Sequence, residues 1–211
     1  MCTNYVGTRN RAWVKATFGV AMPDQDFPRE AYPGYLAPIV RHNAQGEPEC
    51  VLARFGLIPH WAKDETFGRR TYNARSETVA EKPSYRTPWR KDQVCLALAD
   101  AIFEPCYESG RAVRWRILRK DQQPMAIASL WESWTNPDTG EIVISFTMLT
   151  VNADRHPVMQ RFHKPEDEKR SVVIMDPPEQ WLLSSKDTRV RLMIAPEVAI
   201  EAHADPRTRE I

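Results

Sequence analysis

The alternation of apolar and polar positions along the chain predicts a protein rich in short β-strands. Two stretches, VLARFGLI and VCLALADAIF, are apolar at nearly every position or alternate closely, which is typical of strands packed on one or both faces. Seventeen prolines against eight glycines favour many short elements joined by rigid turns. The predicted strands are Tyr35–Val40, Cys50–Ile58, Val94–Phe103, Ala112–Leu118, Met125–Leu130, Ile142–Thr150 and Ser171–Met175.

Turn and helix signals complete the predicted architecture. The sequence NPDTG at Asn136–Gly140 lies between two strand-like runs and predicts a hairpin turn. The pattern predicts one α+β domain, with a curved, barrel-like antiparallel sheet and short flanking helices. We expect this domain to span residues 1–199, and residues 200–211 to form a disordered tail. The predicted helices are Ser76–Lys82, Pro83–Arg90 and Pro178–Ser184.

The composition is that of a globular protein. Of 211 residues, 42% are hydrophobic and 27% are charged, and the net charge is +1. No apolar run approaches the ~20 residues of a membrane span, and the first residues lack the pattern of a signal peptide. We therefore expect a cytoplasmic protein, and a monomer. Local basic clusters fit either a solvated face or a groove for nucleic-acid backbone; they comprise Arg69, Arg70 and Arg75, then Arg86, Arg90 and Lys91.

The four cysteines differ in what they can do. Cys50, Cys95 and Cys106 fit buried apolar positions, and no two cysteines form a CxxC pair. Cys2 follows the initiator methionine, which is normally removed before a small residue. Its α-amine and thiol ordinarily titrate at about 7.7–8.0 and about 8.5, so we expect both to be reactive near neutral pH.

An N-terminal cysteine has chemistry that an internal cysteine lacks. Its amine can form an imine with an aldehyde, and its thiol can then close on the imine carbon to give a thiazolidine. The nitrogen of an internal cysteine is a peptide amide and cannot react in this way. A cysteine at position 2 can equally be accidental, so its neighbours in the fold decide the matter.

Two further residues could move protons. Glu104 ends a hydrophobic strand, where burial would raise the pKa of its carboxyl group as acid–base catalysis requires; a water-facing carboxylate is the alternative. His163 follows a strand and a proline-interrupted loop, and fits either a surface position or a titrating site.

These motifs, taken in order, resemble the SOS response-associated peptidase (SRAP) family of abasic-site processing proteins. The resemblance extends from Met1 to about Leu183. Its most specific part is Asn-Ala-Arg-x-Glu-Thr at residues 73–78, followed by a strand that ends in Phe103-Glu104. The other matching pieces are Met1-Cys2, Ala37-Pro38, Gly56 with Pro59 and Trp61, Ala99-Asp100, Trp131-Glu132, Thr150 with Ala153, and His163.

The resemblance implies a distorted antiparallel β-barrel that bonds covalently to abasic sites in single-stranded DNA through Cys2. Asn73 would hold the N-terminal residue and the sugar by hydrogen bonds. Glu104 would transfer protons as the imine forms, and His163 would protonate the ring oxygen of the deoxyribose. Lyase cleavage beside the lesion and self-removal of Met1 are also implied.

The resemblance also implies how the DNA is held. Arg75 would bind a phosphate, and Trp61 would stack on a base beside the lesion. Tyr35, Pro38 and Thr150 complete the predicted DNA-contacting set. No metal or organic cofactor is implied, because the aldehyde supplies the electrophile.

The chain departs from the family pattern at three places. Thr3-Asn4 stands where the family has Gly-Arg, so Arg9 or Arg11 would have to replace a phosphate contact. Tyr35 replaces an asparagine. The loop Lys164–Arg170 is longer and more acidic than its family counterpart, which leaves the DNA path on that side open.

Two other functions remain open at this point. One is a cysteine peptidase that acts on other proteins, with Cys2, His163 and Asn73 as nucleophile, base and orienting group. The other is a non-catalytic module that binds single-stranded nucleic acid through arginines and tryptophans. N-terminal acetylation would distinguish the first, since it blocks aldehyde capture, and Cys2→Ala would distinguish the second.

Overall fold

A computed structural model describes residues 2–206, which contain eleven strands, four α-helices and two 3₁₀ turns. The strands are β1 (Asn4–Gly7), β2 (Glu30–Ala31), β3 (Leu36–His42), β4 (Pro48–Phe55), β5 (Asn73–Arg75), β6 (Val94–Cys106), β7 (Val113–Arg119), β8 (Met125–Thr135), β9 (Ile142–Asn152), β10 (Arg170–Val172) and β11 (Ile200–Ala204). The helices are α1 (Arg11–Phe18), α2 (Arg86–Arg90), α3 (Glu179–Leu183) and α4 (Lys186–Leu192), and the 3₁₀ turns are Glu65–Arg70 and Met159–Arg161.

Five of the strands close into a barrel. The ring runs β3–β6–β8–β9–β4 and returns to β3. Every pair in the ring is antiparallel except β4 with β9, which is parallel and distorts the barrel. The predicted α+β class and the distorted, mainly antiparallel barrel are confirmed.

The barrel explains why β6 and β8 are apolar on both faces. Alternate residues of a strand point to opposite sides, so one set fills the barrel and the other packs outside it. Small side chains of two strands, Ala53 of β4 and Ala97 and Ala99 of β6, are fully buried in the inner cluster and leave room for large rings. The outer cluster is covered by helices that contribute Trp89 and Trp181.

Strand β1 brings the start of the chain into this core. It pairs with the far end of β6, with Asn4 opposite Phe103. Tyr5 is completely buried in the inner cluster and meets the ring of Phe55 edge-on, with the centroids 5.1 Å apart. The pairing register therefore carries Cys2 alongside the end of β6, where Glu104 lies.

Most predicted strands form, but two predictions at other places were wrong. Ser76–Lys82 is a run of turns and not a helix: the amides of Glu81 and Lys82 both bond to the Thr78 carbonyl, and Pro83 then disfavours helical backbone before it. The tail prediction was also wrong for residues 200–204, because β11 pairs with β7. Residues 207–211 of the predicted tail lie outside the described residues.

The hairpin prediction at Asn136–Gly140 is confirmed. The amide of Gly140 donates to the Asn136 carbonyl at 2.8 Å, and the amide of Asn136 donates to the Glu141 carbonyl at 2.8 Å. Strands β8 and β9 pair on either side of this turn.

Two glycines allow the backbone after β4 to touch the first 3₁₀ turn. Gly56 has φ +105°, and a Cβ added there would lie 2.2 Å from the Gly68 carbonyl oxygen. A Cβ at Gly68 would lie 2.6 Å from the Gly56 carbonyl oxygen. This close approach fixes the two ends of the loop that carries Trp61 and leads into β5.

We expect Gly56→Ala to destabilise the fold more than a glycine substitution made without a clash. Gly110 also has positive φ (+76°), but nothing lies within 4 Å of an added Cβ, so Gly110→Ala measures the backbone cost alone. That control should lose about 1 kcal/mol of unfolding free energy. Gly56→Ala should lose at least about 2 kcal/mol more in urea titrations, because the backbone must move apart. Equal losses would show that the contact is not needed.

Candidate active site and nucleic-acid interface

Cys2 is buried at the edge of the barrel core. Only 1% of its surface is exposed, and its thiol donates to the Asn4 carbonyl at 3.4 Å. Asn73, at the start of β5, donates from Nδ2 to the Cys2 carbonyl at 2.8 Å. The side chain of Asn73, which was predicted to hold the N-terminal residue, thus contacts the main chain of Cys2.

The main chain of Asn73 is held in place, and the oxygen of its side chain remains available as a hydrogen-bond acceptor. Its carbonyl accepts a hydrogen bond from the Tyr85 hydroxyl at 3.0 Å, and its strand pairs in parallel with β9. Its Oδ1 is buried and has no hydrogen-bond partner among residues 2–206. A buried amide oxygen without a partner is costly, so this atom is suited to a donor brought by substrate or by a free N-terminal amine.

Glu104 and His163 face each other in a buried pair. Their side chains are 2% and 9% exposed, and His163 Nδ1 lies 3.6 Å from Glu104 Oε2. The His163 amide bonds to the Pro105 carbonyl at 2.9 Å, and this residue has a positive φ of 66°. The strand-end carboxylate is therefore buried, and the loop histidine belongs to the same site.

The hydrogen bonds of His163 define where a proton must lie. Its Nε2 is 3.3 Å from the Arg170 carbonyl oxygen, which can only accept, so Nε2 carries a proton. In a neutral ring Nδ1 would then present a lone pair to the Glu104 carboxylate. The two groups are thus close enough to exchange a proton with a substrate or with each other, as acid–base catalysis requires. Burial lowers the pKa of His163, while the charge of Glu104 acts against this change.

The thiol of Cys2 is less acidic than its type suggests. Burial, and next the negative charge of Glu104, raise its pKa to about 12. The expectation of a useful thiolate fraction at neutral pH was therefore wrong, because that expectation took the thiol as solvent-exposed. The thiol reacts only if its proton is transferred during the step.

A cavity of about 340 Å³ opens beside Glu104. Its walls include Thr3, Tyr32, Phe103 and Arg114. The Arg114 guanidinium lies 3.4 Å from the centre of the Phe103 ring and donates to Asn4 Oδ1 at 2.9 Å. Arg114 also forms ion pairs with Glu30 and with Asp205.

Arg9 and Arg11 do not lie in this cavity. Arg9 bonds to the Phe27 carbonyl and pairs with Asp26, and Arg11 bonds to the carbonyls of Met22 and Pro23. The structure therefore gives no support to either as a substitute for the family arginine. Arg114 stands next to Asn4 instead, and the sequence could not show this because residues 4 and 114 meet only through the pairing of β6 with β1 and β7.

Arg75 shares a strand face with Asn73, two residues away. Half of its side chain is exposed, and its Nη1 lies 2.8 Å from Glu168 Oε2. Glu168 also pairs with Arg170, which is buried and forms two bonds to Glu77. The phosphate-binding candidate thus lies beside the site, but already has an acidic partner.

Two predicted DNA-contacting aromatics are exposed. Trp61 is 47% exposed and meets the Phe67 ring edge-on at 5.0 Å. Tyr35 is also 47% exposed and meets Tyr32, a wall of the cavity, at 5.7 Å. Both rings present surface on which a base could stack.

Pro38 and Thr150, the other two residues predicted to contact DNA, are buried in the protein. Pro38 lies inside β3 opposite Leu52. Thr150 is 1% exposed, and its carbonyl accepts from Arg170 Nη2 at 2.7 Å. Both residues support the site from within the fold.

No helix within residues 2–206 is long and apolar enough to cross a membrane. No three His, Cys, Asp or Glu side chains in that range group together as a metal site.

Solved structures share this architecture. A crystal structure of a protein from Bordetella bronchiseptica is 34% identical and superimposes with a TM-score of 0.86, covering 98% of this chain and 100% of that one. A crystal structure from Bacteroides thetaiotaomicron, 23% identical, has a TM-score of 0.80 over 96% of this chain and 91% of its own. The second likeness shows the fold alone.

Several relatives share one descriptive name. The abasic site processing protein YoqW of Bacillus subtilis is 34% identical over 136 residues, which are 64% of this chain and 57% of YoqW. YoaM, named likewise and from the same organism, is 31% identical over 75% of this chain and 70% of its own length. The abasic site processing protein HMCES of Xenopus tropicalis is 28% identical over 51% of this chain and 38% of its own. The matches thus span little more than half of YoqW and a smaller share of HMCES.

A model of the family described as SOS response associated peptidase (SRAP) matches residues 1–205, so the chain belongs to the SRAP family.

Proposed function

We propose that this protein captures abasic sites in single-stranded DNA by forming a thiazolidine through Cys2. The proposal rests on one observation: the Asn73 side chain donates a hydrogen bond to the Cys2 carbonyl beside the buried Glu104–His163 pair. Relatives named abasic site processing proteins support the same substrate. The exposed rings of Trp61 and Tyr35 suit unpaired bases, since stacking tolerates any sequence.

The reaction starts once hydrolysis has removed Met1, which converts the amide nitrogen of Cys2 into an amine. The open-chain sugar presents an aldehyde at C1′, and the amine adds to that carbon. The hydroxyl formed on C1′ leaves as water after it receives a proton from the Glu104–His163 pair. The amine gives up its proton to the pair, which restores it, and an imine remains.

The thiol then closes the ring. Sγ adds to the imine carbon, and the thiol proton finishes on the nitrogen, so the whole capture releases one water molecule. The pKa of the thiol, which is raised to about 12 in the chain that still carries Met1, favours transfer of the thiol proton within this step. Glu104, whose charge contributes to that pKa, is the candidate carrier. Cleavage of the strand through the imine, as a lyase, is the competing outcome.

The same pKa disfavours a cysteine peptidase that acts on other proteins. Such an enzyme attacks with a thiolate, and its cysteine has a lowered pKa beside a positively charged group. Here the pKa of Cys2 is raised first by burial and next by the carboxylate of Glu104, whose negative charge opposes thiolate formation.

Substitutions of Cys2 should separate the amine from the thiol. Cys2→Ser should form an imine with an abasic oligonucleotide that borohydride traps, but little stable adduct, because an oxazolidine opens more readily than a thiazolidine. Cys2→Ala should retain trappable imine and lose the heat-resistant crosslink. Denaturing gels with and without borohydride measure both products, and Cys50→Ala serves as the matched control. A heat-resistant adduct in Cys2→Ala at the wild-type level would refute the thiazolidine.

Glu104→Gln should make alkylation of Cys2 faster but crosslinking to abasic DNA slower. Removal of the carboxylate charge should lower the pKa of the Cys2 thiol, so alkylation of Cys2 at a fixed pH should become faster. Crosslinking should nevertheless slow by ~10²–10⁴-fold, because the proton-transfer group is lost. His163→Ala should slow crosslinking as well. Mass spectrometry reads the alkylation and gels read the crosslink.

Glu81→Gln makes the same chemical change at an exposed position and serves as the control. Wild-type crosslinking by Glu104→Gln would exclude this carboxylate from catalysis.

A further inference from the structure

One carboxylate in the acidic loop joins two arginines beside the site. Glu168 Oε2 lies 2.8 Å from Arg75 Nη1, and its Oε1 lies 2.8 Å from Arg170 Nη1. The Asn152 side-chain amide also donates to Oε1, at 3.0 Å. Hydrogen bonds from Arg170 and from Asn152 lower the pKa of Glu168 to about 2, so it remains ionised at neutral pH.

The backbone around Glu168 is fixed to the end of β9. The Lys169 amide donates to Asp154 Oδ1 at 2.8 Å, and the Ala153 amide donates to the Lys169 carbonyl at 2.8 Å. Within the loop, the Asp167 amide donates to the Lys164 carbonyl at 3.1 Å. Glu168 is therefore held against Arg75 and is not simply a mobile side chain that meets it by chance.

A carboxylate and a phosphate compete for the same face of a guanidinium group. Both bind its fixed N–H donors through anionic oxygens. Once one of them is bound, the positive charge of the guanidinium group attracts the other less strongly. Arg75 lies on the strand face of Asn73 and is half exposed, as a phosphate contact would need. Glu168 occupies one of its donors from the protein side.

We propose that Glu168 is a specificity-determining residue that competes with a DNA backbone phosphate for Arg75. This inference rests on the proposed function, since it needs Arg75 to contact the strand. An undamaged strand is held only by such non-covalent contacts, so the competition weakens its binding. An abasic strand is retained by the covalent bond at Cys2 once capture has occurred. The loop thereby favours lesions over intact DNA.

Arg170 makes this competition testable by substitution. It keeps two bonds to Glu77, at 2.7 Å and 2.9 Å, and one to the Thr150 carbonyl when Glu168 changes. Removing the charge of Glu168 therefore leaves the buried guanidinium paired. Glu166 lies two residues earlier, is exposed and carries the same charge, so it provides a matched control.

The test compares Glu168→Gln with Glu166→Gln in binding to a short fluorescent oligothymidylate, measured by anisotropy. A partly exposed ion pair is worth at most a factor of about five, so Glu168→Gln should bind about two- to fivefold more tightly than Glu166→Gln. Glu168→Asp keeps the charge but shortens the side chain by one methylene group, which draws the carboxylate away from Arg75, and it should shift affinity in the same direction. It also keeps the proposal testable if Glu168→Gln unfolds. Equal affinities for Glu168→Gln and Glu166→Gln, with no gain in Glu168→Asp, would overturn the proposal.

A second comparison shows whether the effect passes through Arg75. In an Arg75→Ala background, Glu168→Gln should give no tightening, whereas an equal gain there would show a general charge effect and overturn the proposal. Crosslinking of the wild-type protein to an abasic oligonucleotide is measured in parallel. Normal crosslinking with no effect of Glu168→Gln defeats this inference alone, whereas absence of crosslinking defeats the proposed function.

Discussion

The pairing of β1 with the far end of β6 is the constraint on which the rest of the site depends. Four residues of β1 are buried along this edge, and Tyr5 anchors them inside the barrel against Phe55. With that register fixed, Cys2, two residues before the strand, lies close to Glu104. Asn73, from a different part of the sheet, then needs only one hydrogen bond, worth about 1 kcal/mol, to orient Cys2.

Burial determines the reactivity of the site and also makes a thiolate harder to form. It makes the thiol of Cys2 a weaker acid and His163 a weaker base, and the carboxylate of Glu104 acts on the pKa of both. A site of this kind suits a reaction in which each step includes its own proton transfer. It does not suit attack by a preformed thiolate. The same features explain why an amine, which needs no such ionisation of sulfur, would begin the reaction.

The barrel could be predicted from local pattern because β6 and β8 are apolar on both faces, and Glu104 could be singled out because it directly follows the apolar run of such a strand. Contacts between distant residues could not. Arg114 meets Asn4, and Glu168 meets Arg75, only after the sheet has assembled. The strand at 200–204 was missed because it begins a tail rich in charged residues and gains its order from pairing with β7.

The position of the covalent bond tests the central claim most directly. Wild-type protein is incubated with a single-stranded abasic oligonucleotide, and the adduct is weighed intact and then digested and sequenced by mass spectrometry. The predicted adduct weighs as much as the chain without Met1 plus the oligonucleotide minus one water, and the modification maps to Cys2. An adduct that retains Met1, or one that maps to any other residue, would contradict capture by an N-terminal aminothiol.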